Sequence, residues 1–312
     1  MFSYAFRVPD KKRVRVIIHS DAKNEADDQY AIAHALMTPG FDVRGIIAGH
    51  FNRMNNMSHR FPDGQTARAG FDEIGKILDL MNLSGQYPVY MGAEKELTNE
   101  KEPARSEGAD FIVEEAMKDD ERPLYIFMQG AITDLASAIL MNPEICSRMT
   151  AIWVGGGNYP DGGQEFNLAM DPTAANVVFA SGMPLWQIPM NAYKQMAVSL
   201  TELQAKVLPC GAIGRYLFEQ MAELNEKLGD NLNWPHGEIW GLGDNSAIAV
   251  LLEESAFSDF LPLVQDKPEI QTVFIITDSS DGYKEMIAHL DGKDTYQLYR
   301  DYLDNFRINI GR

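Results

Sequence analysis

The chain has 312 residues, and its 27 basic against 45 acidic side chains give a formal charge of −18, which argues against nucleic acid or an anionic membrane as partner. Its two cysteines, Cys146 and Cys210, are too few for a disulfide framework at this length. No apolar run reaches membrane-spanning length, and the first residues lack an apolar stretch followed by a small-residue cleavage site; the expectation is a cytoplasmic protein. With no low-complexity or Pro/Ser-rich linker, residues 1–312 are expected to form a single domain with a substantial core.

In chain order, Val14, Val16, Ile17 and Ile18 form a β-branched run suited to a strand buried on both faces of a parallel sheet. From Tyr30 the spacing becomes helical, Ile32 with Leu36 and Ala33 with Met37, until Thr38-Pro39-Gly40 stops it. The acidic segment 21–28 is then a strand-to-helix loop, where ligands sit in open α/β sheets. Asp27 and Asp28 fall at the helix N-terminus, where adjacent carboxylates are commonplace as caps and dipole partners. A third, Asp21, at the strand tip adds a like charge that calls for a cation.

A second strand at 43–48 leads into Gly49-His50-Phe51-Asn52. A helix follows with Phe71, Ile74, Leu78 and Met81 on one face, then a short strand at 88–91. The charged stretch 93–108 reads as an exposed loop. Residues 111–117 are helical, 124–128 a strand, 133–140 a helix and 151–154 another buried strand. Gly155-Gly156-Gly157 lacks the spacing of a phosphate loop and reads as a tight turn passing close to a ligand. Glu165 and Asn167 fall in a loop before a helix opened by Asp171-Pro172; two polar loop residues bonded to their own backbone is an equal alternative. A helix over 213–228 follows, and Asp244 opens another. Trp234 and Trp240 lie in the loop before it, as packing residues or as a stacking surface for a flat ring. A strand near 272–277 and an amphipathic helix at 296–306 complete the chain. Strands alternating with helices predict one large α/β domain whose mostly parallel, Rossmann-like open sheet is flanked by helices.

Five blocks between residues 14 and 254 resemble, in order, the inosine-uridine-preferring nucleoside hydrolase family. Residues 14–36 are similar to its Asp-rich motif of a strand, an Asp, a short turn and a paired Asp-Asp. The resemblance implies Asp21 and Asp28 as calcium ligands and Asp27 as the general base acting on a metal-bound water. It implies that Asn52 contacts the ribose, that the Thr133 carbonyl and Asp244 complete the metal shell, and that Asn158, Glu165 and Asn167 hold ribose hydroxyls. Three departures stand out. The loop from Ala22 to Ala26 is two residues longer than the family's, bringing Asn24 or Glu25 within reach of the shell. His19 stands where the family has its first Asp. Gly243 replaces the His that precedes the last metal Asp, and Arg105-Ser106-Glu107-Gly108 replaces a His-Gly block.

Calcium takes six to eight oxygen ligands, so three carboxylates, a carbonyl, water and two ribose hydroxyls would fill its shell. The chemistry implied is hydrolysis of a ribonucleoside N-glycosidic bond, with Trp240, Trp234, His236 or His50 beside the departing base. The resemblance implies a small nucleoside or ribosyl substrate and a homo-oligomer, a dimer or tetramer. The alternatives are a metal-dependent hydrolase of another ribosyl or glycosyl compound, and a ribose binder without turnover.

Overall fold

The computed structural model describes residues 4–52, 61–62, 64–159, 161–229, 237–252, 271–276 and 285–290. The strands are β1 (Val14–Ser20), β2 (Phe41–Ala48), β3 (Val89–Met91), β4 (Leu124–Gln129), β5 (Thr150–Val154), β6 (Leu185–Ile188), β7 (Ala197–Ser199), β8 (Ile239–Gly241), β9 (Gln271–Ile276) and β10 (Glu285–Leu290). The α-helices are α1 (Asp28–Met37), α2 (Thr66–Leu80), α3 (Glu107–Ala116), α4 (Thr133–Met141), α5 (Phe166–Met170), α6 (Pro172–Ala180), α7 (Met190–Tyr193), α8 (Leu200–Lys206), α9 (Gly211–Lys227) and α10 (Asn245–Leu252). Trp234, His236 and the helix expected at 296–306 lie outside the described residues.

Among the described residues, eight strands form one sheet in the order β10-β9-β6-β5-β4-β1-β2-β3. All neighbours pair in parallel except β10, which runs antiparallel on β9 at the edge. The mostly parallel, Rossmann-like sheet expected from the alternating pattern is thus present. Its continuous apolar strands are explained by burial on both faces: Val16 and Ile18 of β1 pack on one side and Ile17 on the other. The first face is covered by Ile32 of α1, Ile74 of α2, Met221 of α9 and Ile248 of α10. The opposite face is covered by Ile112 of α3, Leu135 of α4 and Val178 of α6.

Two sequence expectations need correction here. Residues 93–108 are not simply an exposed loop, because Ala93 and Leu97 are buried and Ser106 caps α3 by accepting from the Ala109 N–H. Glu165 and Asn167 do not sit in a loop either: Glu165 caps the one-turn helix α5, and Asn167 lies in it. Asp171 does open α6, its carboxylate accepting from the Ala174 N–H.

The strand order sets the position of the site. From β1 the chain steps outward to β2 and β3, then returns to the other flank of β1 to lay down β4, β5 and β6. The loops leaving the carboxyl ends of β1 and β4 therefore diverge, and the crevice between them is where an open α/β sheet takes its ligand.

Candidate functional site

The β1–α1 loop is folded around Ser20. Its hydroxyl donates to Asp28 Oδ1 at 2.5 Å and accepts from the Ala22 N–H at 3.1 Å, so the last strand residue holds both ends of the acidic segment. Asp27 occupies the N-cap position of α1 but makes no side-chain capping bond, so capping does not explain its presence. Asp27 Oδ2 instead accepts from the backbone N–H of Asp244 at 3.1 Å, and Oδ1 is buried without a partner. Asp244 is fixed from the other side, where Gln129 at the end of β4 donates to its carbonyl at 3.0 Å. Ligand atoms of Asp27, Asp28 and Asp244 all lie within 4.8 Å of one another, and all three residues are buried. Asp21 packs on Gly130 so closely that a β-carbon there would stand 2.9 Å from the Asp21 Cγ. Glycine is required at that step of the β4–α4 loop.

The electrostatics are one-sided. Burial, followed by the charges of Asp28 and Asp27, pushes Asp21 well above the usual carboxylate range. Burial and then Asp27 raise Asp28 to about 8. Asp244 is raised by burial and by Asp27, Asp28, Asp21 and Glu25. Glu25 is pushed well above its usual range by burial and by the charges of Asp27 and Asp28. Among the described residues, no lysine, arginine or histidine forms an ion pair with any of these five, and the loop's own cation, Lys23, is paired with Glu73. Buried carboxylates that raise one another's proton affinity, with an unpaired oxygen among them, form a hard-oxygen donor set suited to a hard cation.

Other expected residues are held by the protein's own groups. Glu165 accepts from the N–H groups of Gly156, Asn167 and Leu168 at 2.8, 3.1 and 2.9 Å, and from the Tyr193 hydroxyl at 2.9 Å. Asn167 donates to the Val154 carbonyl at 2.8 Å, which ties α5 to the end of β5. Asn158 is exposed at the rim, its carbonyl bonded to the Gly162 N–H. Asn52 accepts from the Thr66 hydroxyl at 2.6 Å and donates to the Glu94 carbonyl. The Thr133 hydroxyl donates to Asp171 at 2.7 Å and meets His50 Nε2 at 2.9 Å, and its carbonyl lies in the first turn of α4. The glycine triplet turns as expected: Gly156 has φ +90°, and a β-carbon on Gly157 would lie 2.3 Å from the Gly162 carbonyl carbon.

Trp240 is a correction. It is 2% exposed within the core and spends its indole N–H on Asn225 at 3.0 Å, so it offers no open face to a ring. His50 is likewise fully buried on Thr133. The His19 departure is answered by Asp134, whose Oδ2 lies 2.9 Å from His19 Nε2. Gly243 is answered by Tyr193, whose ring would be 2.9 Å from a β-carbon at that position. Tyr193, Gln129 and Asp134 were not singled out from the sequence. Gln129 and Asp134 lie in the same block as Thr133, but each of the three acts on a residue at least 28 positions away, which local pattern does not show.

A family model described as inosine-uridine preferring nucleoside hydrolase matches residues 16–296. A pyrimidine-specific ribonucleoside hydrolase, RihA, of Escherichia coli O127:H6 is 27% identical over 262 residues, covering 74% of this chain and 78% of that protein. Among solved structures, a purine-preferring ribonucleoside hydrolase from Gardnerella vaginalis superposes with a TM-score of 0.61 at 18% identity, covering 93% of this chain and 98% of that one. An inosine-guanosine nucleoside hydrolase gives 0.61 at 18% identity, covering 94% and 99%.

Proposed function

The chain belongs to the inosine-uridine preferring nucleoside hydrolase family and is an N-glycosyl hydrolase, and on that premise we propose that it cleaves ribonucleosides to ribose and free base with calcium held in the carboxylate cage and Asp27 as general base. The observation that carries this reading is the buried, mutually repelling set of Asp21, Asp27, Asp28 and Asp244, contributed by two loops far apart in sequence and paired with no basic side chain among the described residues. The residues fit a hard cation by donor type and by the unpartnered Asp27 Oδ1. Bound there, calcium would supply a Lewis acid that acidifies water and grips vicinal hydroxyls.

Within that frame, Asp21, Asp28 and Asp244 are the carboxylates assigned to the ion, with the Thr133 carbonyl as an additional oxygen. The Asp244 N–H on Oδ2 orients the Asp27 carboxylate and leaves Oδ1 to accept a proton. On this reading the same carboxylates would stabilise the positive charge that develops at the anomeric carbon, an oxocarbenium-like centre. Glu165 and Asn167, rigidly tied to the ends of β5 and α5, are assigned to ribose hydroxyls, with Asn158 and Asn52 at the rim. The acidic surface suits a small neutral substrate rather than nucleic acid.

The test is ribose release from a panel of purine and pyrimidine nucleosides, run on protein stripped with a chelator and then supplied with calcium. Release that vanishes on stripping and returns with calcium is expected. Turnover that persists in chelator would remove the ion from the mechanism, and nucleoside binding without release would make the protein a ribosyl binder.

A further inference from the structure

The acidic loop contains one cation. Lys23 stands two residues after Asp21 and four before Asp27, close enough in the chain to serve as the counter-ion that the carboxylates lack. It does not do so. Its backbone is left-handed, φ +88°, an uncommon conformation for a side chain with a β-carbon. Its ammonium is 2.8 Å from Glu73 Oε2 and 3.5 Å from the Tyr216 hydroxyl.

Glu73 belongs to α2, which contributes none of the carboxylates of the cage. It is nonetheless 4% exposed, and both of its oxygens are used: Lys23 on Oε2, and on Oε1 the Gln29 amide at 3.2 Å and the Tyr216 hydroxyl. Gln29 directly follows Asp28, so the same carboxylate grips the first turn of α1. Next to it, Gly70 of α2 brings the backbone against the loop, its missing β-carbon lying 3.0 Å from the Ala22 carbonyl. From α9, Gln220 donates to the Ala26 carbonyl at 2.7 Å. Burial opposes the charge on Glu73, but the donors from Lys23, Tyr216 and Gln29 outweigh it and hold the carboxyl below its ordinary value.

We propose that Glu73 is a positioning residue that holds Lys23 out of the carboxylate cage, so that the cage keeps its full negative charge for a divalent cation. The inference rests on the calcium reading of the cage above and adds a requirement to it. A freed lysine in a longer loop would turn to the largest negative potential within its reach and compete with the ion. A carboxylate on the neighbouring helix, with a tyrosine behind it, makes that turn unfavourable. The longer loop carries a lysine, and α2 and α9 keep it outward.

The experiment measures calcium affinity by titration calorimetry on chelator-stripped wild type, Glu73→Gln and the double variant Lys23→Met/Glu73→Gln, with thermal melts as the control for folding. Glu73→Gln is expected to weaken calcium binding roughly tenfold or more, and the double variant to recover most of that loss although it lacks both partners. Saturating calcium is expected to restore the turnover of Glu73→Gln, because the lysine is a competitor rather than a defect. Calcium affinity unchanged in Glu73→Gln, or a double variant as weak as the single one, overturns the proposal and leaves Glu73 as an anchor of the loop. Wild type that binds no calcium overturns the metal reading and this inference with it.

Discussion

The two ends of β1 carry the same kind of side chain under opposite conditions. At the amino end Glu115, Asp120 and Asp42 meet Arg15, Arg44 and Arg122: Arg15 lies 3.3 Å from Glu115, Arg44 2.9 Å from Glu115, and Arg122 2.6 Å from Asp120. The guanidinium of Arg122 holds the Asp120 carboxyl well below its usual range. At the carboxyl end, one strand length away, Asp21, Asp27, Asp28 and Asp244 have no such partner among the described residues; burial raises all four, and repulsion from neighbouring carboxylates adds to it for Asp21, Asp28 and Asp244. The amino end is complete as folded. The carboxyl end becomes neutral only by taking up protons or a cation, which is how a binding site differs chemically from a structural ion-pair network.

The largest expected effect is at the open end. Asp27→Ala removes the carboxylate proposed as the base while leaving Asp21, Asp28 and Asp244 in place. Turnover in the ribose-release assay should fall by a factor of about 10² to 10⁴, while nucleoside affinity measured separately stays near that of wild type. Unchanged turnover would remove Asp27 from the mechanism.

Breaking the closed end should cost stability and spare chemistry. Glu115→Ala takes from Arg15, which is 3% exposed, the nearer of its two carboxylate partners and leaves Asp120 at 3.7 Å. Removing one member of a buried pair costs about 3 to 5 kcal/mol. Denaturant unfolding should show that loss equally with and without calcium, and the remaining folded enzyme should keep its KM. A loss that calcium reverses would mean that the two ends are not independent.

The smallest and most discriminating effect is on pH dependence. Asp28, raised to about 8, keeps its proton in the folded, cation-free protein where the unfolded chain has released it. The folded state then binds more protons between the unfolded carboxylate value, about 4, and about 8. Stability of the stripped protein should therefore fall as pH rises through that window. Asp120 has the opposite sign: its depressed value contributes stability above the unfolded pKa that is lost as pH falls. Melting temperatures of stripped protein should thus decline toward both extremes. Calcium should abolish only the alkaline decline, since the ion takes the place of the protons. An alkaline decline that survives calcium would place the raised groups outside the ion's reach.

Much of the fold could be read directly. The β-branched run at β1, the helical spacing after Tyr30, the Asp171-Pro172 start of α6 and the glycine turn after β5 are local signals, and each appears as expected. The acidic loop stands out as a candidate site because four carboxylates within eight residues, Asp21, Glu25, Asp27 and Asp28, are hard to explain as caps alone. The short helix α5 was missed because five residues carry too little periodicity to show. Trp240 was placed beside the substrate because a tryptophan next to glycines has no signal for which way it faces, and α9 supplies the Asn225 that decides it.

The sequence by itself determined where strands end and helices begin, and that an acidic loop lies at a strand's carboxyl end, because these depend on neighbours a few residues apart. Only the tertiary structure decided which carboxylates stay unpaired. Asp27 meets the Asp244 N–H across 217 residues, and Lys23 meets Glu73 across 50. Charge is a property of a residue, but its neutralisation depends on what the fold brings within a few ångströms, and chain order does not record that distance.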